Sequence, residues 1–188
     1  SDYMLNQVWH DSGNDMRNSE YNIIRDIVSD NPESAYYGQK IIESGSITEF
    51  SDPLKRWWSA IFAKSTPINN FPAEVTDNQA NSSYRDRYVM RLAETYLLRA
   101  EAYYLDGNLD AAADDINEVR ERSMATPISS SDVNMEFILD ERARELFVEE
   151  NRLMTLMRTG TLVERVRSYN PMHNGTLGAN QIFDYQNL

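Results

Sequence analysis

The stretch RDRYVMRLAETYLLRAEAYYLDGNLDAAADDINEVRERS, from Arg85 to Ser123, constrains the fold more tightly than any other part of the chain. Val89, Leu92, Ala93, Tyr96, Ala100, Tyr103 and Tyr104 recur at three- and four-residue steps, which makes one apolar face of a helix. Arg91, Glu94, Arg99 and Glu101 fall on the polar side. Asp106, Gly107 and Asn108 then end the helix, because glycine takes the left-handed backbone conformation that side chains resist. Leu109, Ala112, Ala113, Ile116 and Val119 restart the same period. Ala100 opposite Ala112 or Ala113 lets two antiparallel backbones approach closely. Tyr96, Ala100, Tyr103, Gly107, Ala112 and Ile116 also sit at the offsets of a tetratricopeptide unit. One such unit cannot bury its apolar face alone, so the rest of the chain must supply a companion.

The best companion is VNMEFILDERARELFVEENRLMTLMRTG, which predicts a long helix from about Asn134 to Arg158. Ser131 or Asp132 is placed to cap it, Glu136 suits its first turn, and Gly160 closes it. Leu162, Val163 and Val166 predict a further short helix that Asn170 and Pro171 stop. Upstream the pattern is weaker. Residues 1 to 20 are polar and irregular; Tyr21, Ile24 and Val28 share one face of a short helix ended by Asn31 and Pro32. Residues 33 to 49 suit a loop and a short strand, and Thr66 to Ser83 a long connecting loop. Asp52 and Pro53 resemble a helix start for PLKRWWSAIFAK, yet WWSAIFAKST reads equally well as extended chain. The C-terminal MHNGTLGANQIFDYQNL reads as loop with one short strand near Ile182. The expected fold class is therefore mainly α, with tetratricopeptide-like helical hairpins packed with irregular loops and minor short strands. Three segments follow: a loop-rich 1–84, a helical core 85–168 and a C-terminal loop segment 169–188.

At 188 residues the chain suits one domain, burying roughly 70% of its unfolded surface. Its formal charge of -12 argues against nucleic acid as a partner, since phosphate-backbone binders displace counterions with Lys and Arg. Without cysteine there is no disulfide, thiol nucleophile or lipid attachment point within this stretch. No apolar run reaches the length needed to span a bilayer.

The helical segments resemble the C-terminal part of the SusD/RagB family. The matching elements are RLAETYLLRAEA at Arg91 to Ala102, the turn at Gly107, INEVR at Ile116 to Arg120 and ILDERAREL at Ile138 to Leu146. NDMR at Asn14 to Arg17 fits the family's DxR position upstream. Where the family commonly has Gly, Trp and Asp after the ERxREL run, this chain has Glu150, Leu153 and Thr155, while Arg152, Leu156, Arg158 and Gly160 keep their places. The resemblance implies a lipid-anchored protein on the surface of a bacterial outer membrane. Such a protein binds oligosaccharide and works with a SusC-like TonB-dependent transporter. It also implies that an N-terminal half with the lipidated cysteine lies outside this stretch, so that membrane contact is through that anchor alone.

Candidate chemistry is sparse. Glu141 and Glu145 stand at i and i+4, the spacing of paired acids, but Arg142 and Arg144 interleave with them. Glu94, Glu101, Arg142 and Glu145 are accordingly expected to form structural ion pairs, with Arg142 and Glu145 as i, i+3 partners. Breaking one should destabilise rather than inactivate. His10 and His173 lack second ligands at metal spacing, and no GxSxG or SxxK motif is present, so neither a catalytic residue, a metal nor a cofactor is expected. Aromatics are the more informative group, because sugar rings present apolar C–H faces that stack on Trp or Tyr. Trp9, Tyr36, Tyr37, Trp57 and Trp58, all upstream of the helices, are the candidate ligand contacts. Tyr88, Tyr96, Tyr103 and Tyr104 are expected to pack. The sequence thus favours a non-enzymatic glycan-binding protein; the alternative is a helical-repeat interaction scaffold without small-ligand binding.

Overall fold

The computed structural model of the chain describes residues 2–40, 60–64 and 88–170. The chain divides into two units, one of Ser1–Arg17 with Asp86–Leu188 and one of Asn18–Arg85. The first is mainly helical. It begins with α1, Asp2–Leu5, and a single 3-10 turn, Gln7–Trp9. The hairpin follows as α2, Leu92–Leu105, and α3, Leu109–Arg122; then come α4, Met135–Glu145, α5, Arg152–Arg158, and α6, Leu162–Tyr169.

Local chemistry explains the hairpin. Gly107 has φ +80° and turns the chain out of α2, while the Asn108 side chain accepts the Ala111 N–H and starts α3. Leu97, Ala100, Ala112, Ala113, Ile116, Val119, Val133, Ile138 and Leu146 form one buried cluster across α2, α3 and α4. Each fully buried Leu or Ile contributes about 1.5–3 kcal/mol. Ala100 and Ala112, both completely buried, are what allow the close approach. After α3 the chain is fastened back by Asn117, whose amide donates to the Ile128 carbonyl at 2.9 Å and accepts its N–H at 2.8 Å.

Four expectations change. First, α2 starts at Leu92 with Arg91 as its cap, so Tyr88 and Val89 precede the helix and stand exposed, as does Leu92. The buried face instead runs through Leu97, Ala100 and Glu101, the last of which is buried because it carries an ion pair. Second, the long helix is two helices. Leu146 caps α4, Val148 takes φ +60°, and the Asn151 side chain accepts the Met154 N–H to start α5. No Gly or Pro marks this break; the intervening turn aims Glu149 and Glu150 at arginines described below. Third, Asn134 caps α4, accepting the Phe137 N–H at 2.9 Å, whereas Ser129 and Asp132 form a capping box around the preceding 3-10 turn Ser130–Asp132.

The fourth change lies in the second unit. Residues 21–28 form no helix: β1, Ile23–Ile24, pairs antiparallel with β2, Ile61–Phe62, in the register Ile23 to Phe62 and Ile24 to Ile61. Eight residues with adjacent β-branched pairs do not offset helix nucleation, whereas pairing buries Ile23. The open alternative at 57–66 resolves at Ile61–Phe62 in favour of extended chain. The strands expected in 33–49 and near Ile182 fall on residues 41–49 and 171–188, outside the described residues, apart from Val28 bridging Lys40.

Val148 supplies a stability prediction. A β-branched residue in the left-handed region costs about 1–2 kcal/mol, and its side chain is 58% exposed, so little packing is lost on its removal. Val148→Gly should raise stability by about 0.5–1 kcal/mol after the entropy of glycine is subtracted. A melting temperature about 2 °C higher by circular dichroism is the expected readout; a lower one would show that the turn does not strain the chain.

Candidate functional site

Two features draw chemistry together, an aromatic loop in the second unit and a charged core in the first. The loop starts where Val28 bridges Lys40. Ser29 N–H donates to the Gln39 carbonyl at 3.0 Å and Gly38 N–H donates to the Ser29 carbonyl at 2.9 Å, so residues 30–37 make a closed excursion. Within it Asn31 accepts the Glu33 N–H, Ser34 Oγ accepts the Tyr36 N–H, and Gly38 turns the chain at φ +78°. Tyr36 and Tyr37 are carried on this loop, 39% and 59% exposed. Compact loops with joined ends are frequent carriers of function.

The other aromatic candidates are placed differently. Trp9 is 7% exposed and donates its indole N–H to the Met4 carbonyl at 2.9 Å, the arrangement of a packing residue. Trp57 and Trp58 lie outside the described residues. Tyr96, Tyr103 and Tyr104 pack on the helical core, and Tyr88 is exposed, contrary to the expectation that it packs.

In the first unit Glu141, fully buried on α4, receives three arginines from three parts of the chain. Arg17 approaches at 2.8 Å, Arg120 of α3 at 2.7 Å and Arg144 of α4 at 2.8 Å. Arg120 also donates to the Thr126 carbonyl at 2.7 Å, Arg144 donates to the Val8 carbonyl, and both guanidiniums lie over the Phe137 ring. Arg17 is itself held by Asp15, at 2.7 Å. Beside this cluster Glu145 meets Arg17 at 3.0 Å, Arg91 at 2.9 Å and Arg122 at 2.6 Å. Arg142 reaches Glu150 at 3.1 Å and Glu94 at 3.5 Å. Glu101 takes Arg158 in a two-pronged pair that ties α5 to α2. On α6, Arg165 lies over the rings of Tyr3 and Tyr169 and pairs with Asp140.

Burial alone would raise the Glu141 carboxyl above the usual carboxylate range. Arg144, Arg17 and Arg120 outweigh it and hold the group at about 2. A depressed carboxyl stabilises the fold fully above its ordinary value of 4.5, and that contribution is lost as pH falls towards about 2. Urea midpoints measured stepwise from pH 5 to 2 should therefore drop steeply across that window. A flat profile would contradict the buried charge. The Tyr169 hydroxyl moves the other way, pushed up to about 12 by its hydrogen bond to Glu136.

Arg17 and Arg120 are the residues that motif spacing on a single helix misses. Arg120 carried a usable signal, four residues after Ile116 on the buried face of α3, where an unpaired charge is not tolerated. Among the described residues no group of three His, Cys, Asp or Glu is placed to hold a metal. His10 pairs with Asp11 at 2.8 Å, and His173 lies outside the described residues. No described helix is long and apolar enough to cross a membrane.

Comparison with known proteins gives two matches. A family model described as the SusD family matches residues 8–187. The starch-binding protein SusD of Bacteroides thetaiotaomicron is 33% identical over 124 residues, which cover 65% of this chain and 20% of that protein. No solved structure matches the chain.

Proposed function

The chain belongs to the SusD family, and from that premise we propose that it is part of a non-enzymatic glycan-binding protein of the bacterial cell surface. The protein captures oligosaccharide and passes it to a SusC-like TonB-dependent transporter in the outer membrane, to which a lipid anchor keeps it close. The observation that carries this reading is the family match over nearly the whole chain, joined by a relative whose name describes starch binding. Ligand contact belongs to the loop-rich segment before residue 85, with Tyr36 and Tyr37 stacking on sugar faces and Trp57 and Trp58 as further candidates. The helical segment 85–168 is the rigid support, and 169–188 follows it. Capture of this kind needs no bond to be made or broken in the ligand. Stacking and hydrogen bonds to hydroxyls suffice, and a ligand destined for handover must also be released.

A second reading, an interaction scaffold without small-ligand binding, is favoured by the exposed apolar residues Tyr88, Val89 and Met90 ahead of α2 and Leu92 at its start. The two separate on where substitutions act in the intact protein. Replacing Val89 and Leu92 by Ser should weaken co-purification with the transporter while leaving oligosaccharide titrations unchanged; Tyr36→Ala with Tyr37→Ala should do the reverse. Aromatic substitutions without effect on any sugar would favour the scaffold.

A further inference from the structure

We infer that the saccharide received by the 29–39 loop is neutral, and that uronate- or sulfate-bearing glycans are disfavoured there. The inference rests on the glycan reading above and adds the charge class of the ligand. The loop closes on itself through Ser29, Gly38 and Gln39, so Asp30 and Glu33 are carried on the same short closed excursion as Tyr36 and Tyr37. Its sequence, SDNPESAYYGQ, contains two carboxylates, Asp30 and Glu33, and no Lys or Arg. Both carboxylates are exposed. The cation next in sequence, Lys40, is engaged by Asp26 at 2.9 Å, and Arg25 donates to Asn18 at 2.6 Å. Recognition of a carboxylate or sulfate on a sugar calls for forked or point cations aimed at it. Among the described residues, the loop itself offers carboxylates instead, together with uncharged groups, the Tyr hydroxyls, Asn31, Ser34 and Gln39, which suit hydroxyls. A polyanionic chain stacked on Tyr37 would meet the field of Asp30 and Glu33 on the same loop, and like charges within a Debye length repel even in water.

The test is titration of the intact protein with neutral oligosaccharides (maltoheptaose, mannohexaose, xylohexaose) and anionic ones (hexagalacturonate, a chondroitin hexasaccharide) at low and moderate salt. Binding of a neutral sugar, insensitive to salt, with anionic sugars at least tenfold weaker at low salt, is the expected result. The doubly neutralised variant Asp30→Asn, Glu33→Gln should bind the anionic sugars about threefold more tightly at low salt, an effect fading as salt screens the loop. Its affinity for the neutral sugar should stay within about twofold. Tighter binding of the anionic set by the wild type overturns the inference and leaves the glycan reading standing. An anionic affinity untouched by the double variant removes the loop as the source of selectivity. Failure of every sugar to bind overturns the glycan reading itself, and the inference with it.

Discussion

Glu141→Gln should lower the melting temperature of the chain by about 10 °C or more, a larger loss than any other single substitution considered. The physical reason is asymmetry. A buried ion cluster contributes little net stability relative to apolar packing, but removing one member strands the rest, at about 3–5 kcal/mol. Glu141 is the shared partner of Arg17, Arg120 and Arg144, and Arg120 and Arg144 are themselves buried. Taking away its charge leaves three guanidiniums facing a neutral amide. At about 2–4 °C per kcal/mol for a chain of this size, the loss is easily read by circular dichroism or calorimetry. Arg120→Met should be costly in the wild type and much less so in the Glu141→Gln background, because the stranded charge is then removed. Equal costs in the two backgrounds would show that the two residues do not act as a pair.

The second large effect is on binding. Tyr36→Ala with Tyr37→Ala in the intact protein should weaken oligosaccharide affinity by about thirtyfold, since two exposed aromatic contacts of hot-spot quality are together worth about 2 kcal/mol. The rings stand on a loop closed by its own backbone hydrogen bonds, so truncation should leave the melting temperature within about 1 °C. That combination, lost affinity with retained stability, is the mirror image of the Glu141 prediction. A drop in melting temperature matching the loss of affinity would assign the tyrosines to packing instead.

How much of this was legible in the sequence depends on whether the deciding interaction was local. The hairpin was, because Gly107 and the spacing of Ala100, Ala112 and Ile116 fix both the turn and the close face within a few residues. So was the end of α5 at Gly160 and of α6 at Asn170. The break between α4 and α5 was not. Its sequence, LFVEEN, is good helical material, and the turn at Val148 exists because Glu149 meets Arg91 at 2.6 Å and Glu150 meets Arg142, partners distant along the chain or on the preceding helix. The strand at Ile23–Ile24 fails in sequence for the same reason: its partner is nearly forty residues away, and a short apolar run looks alike in either conformation. Spacing on one helix offered Arg142 and Glu145 as partners, while the structure turns Arg142 to Glu150 and Glu94 and brings Arg17, Arg91 and Arg122 to Glu145. For the aromatics the limit is exposure. Trp9 and Tyr37 are both aromatics in irregular, polar surroundings, and only the fold separates the buried indole from the exposed ring.

Isothermal titration of the intact wild-type protein against a panel of oligosaccharides and unrelated peptides tests the central claim most directly. Saturable heat with at least one oligosaccharide, none with the peptides, and full recovery of the unaltered sugar after incubation is the predicted result. Heat with peptides and none with any sugar would contradict it.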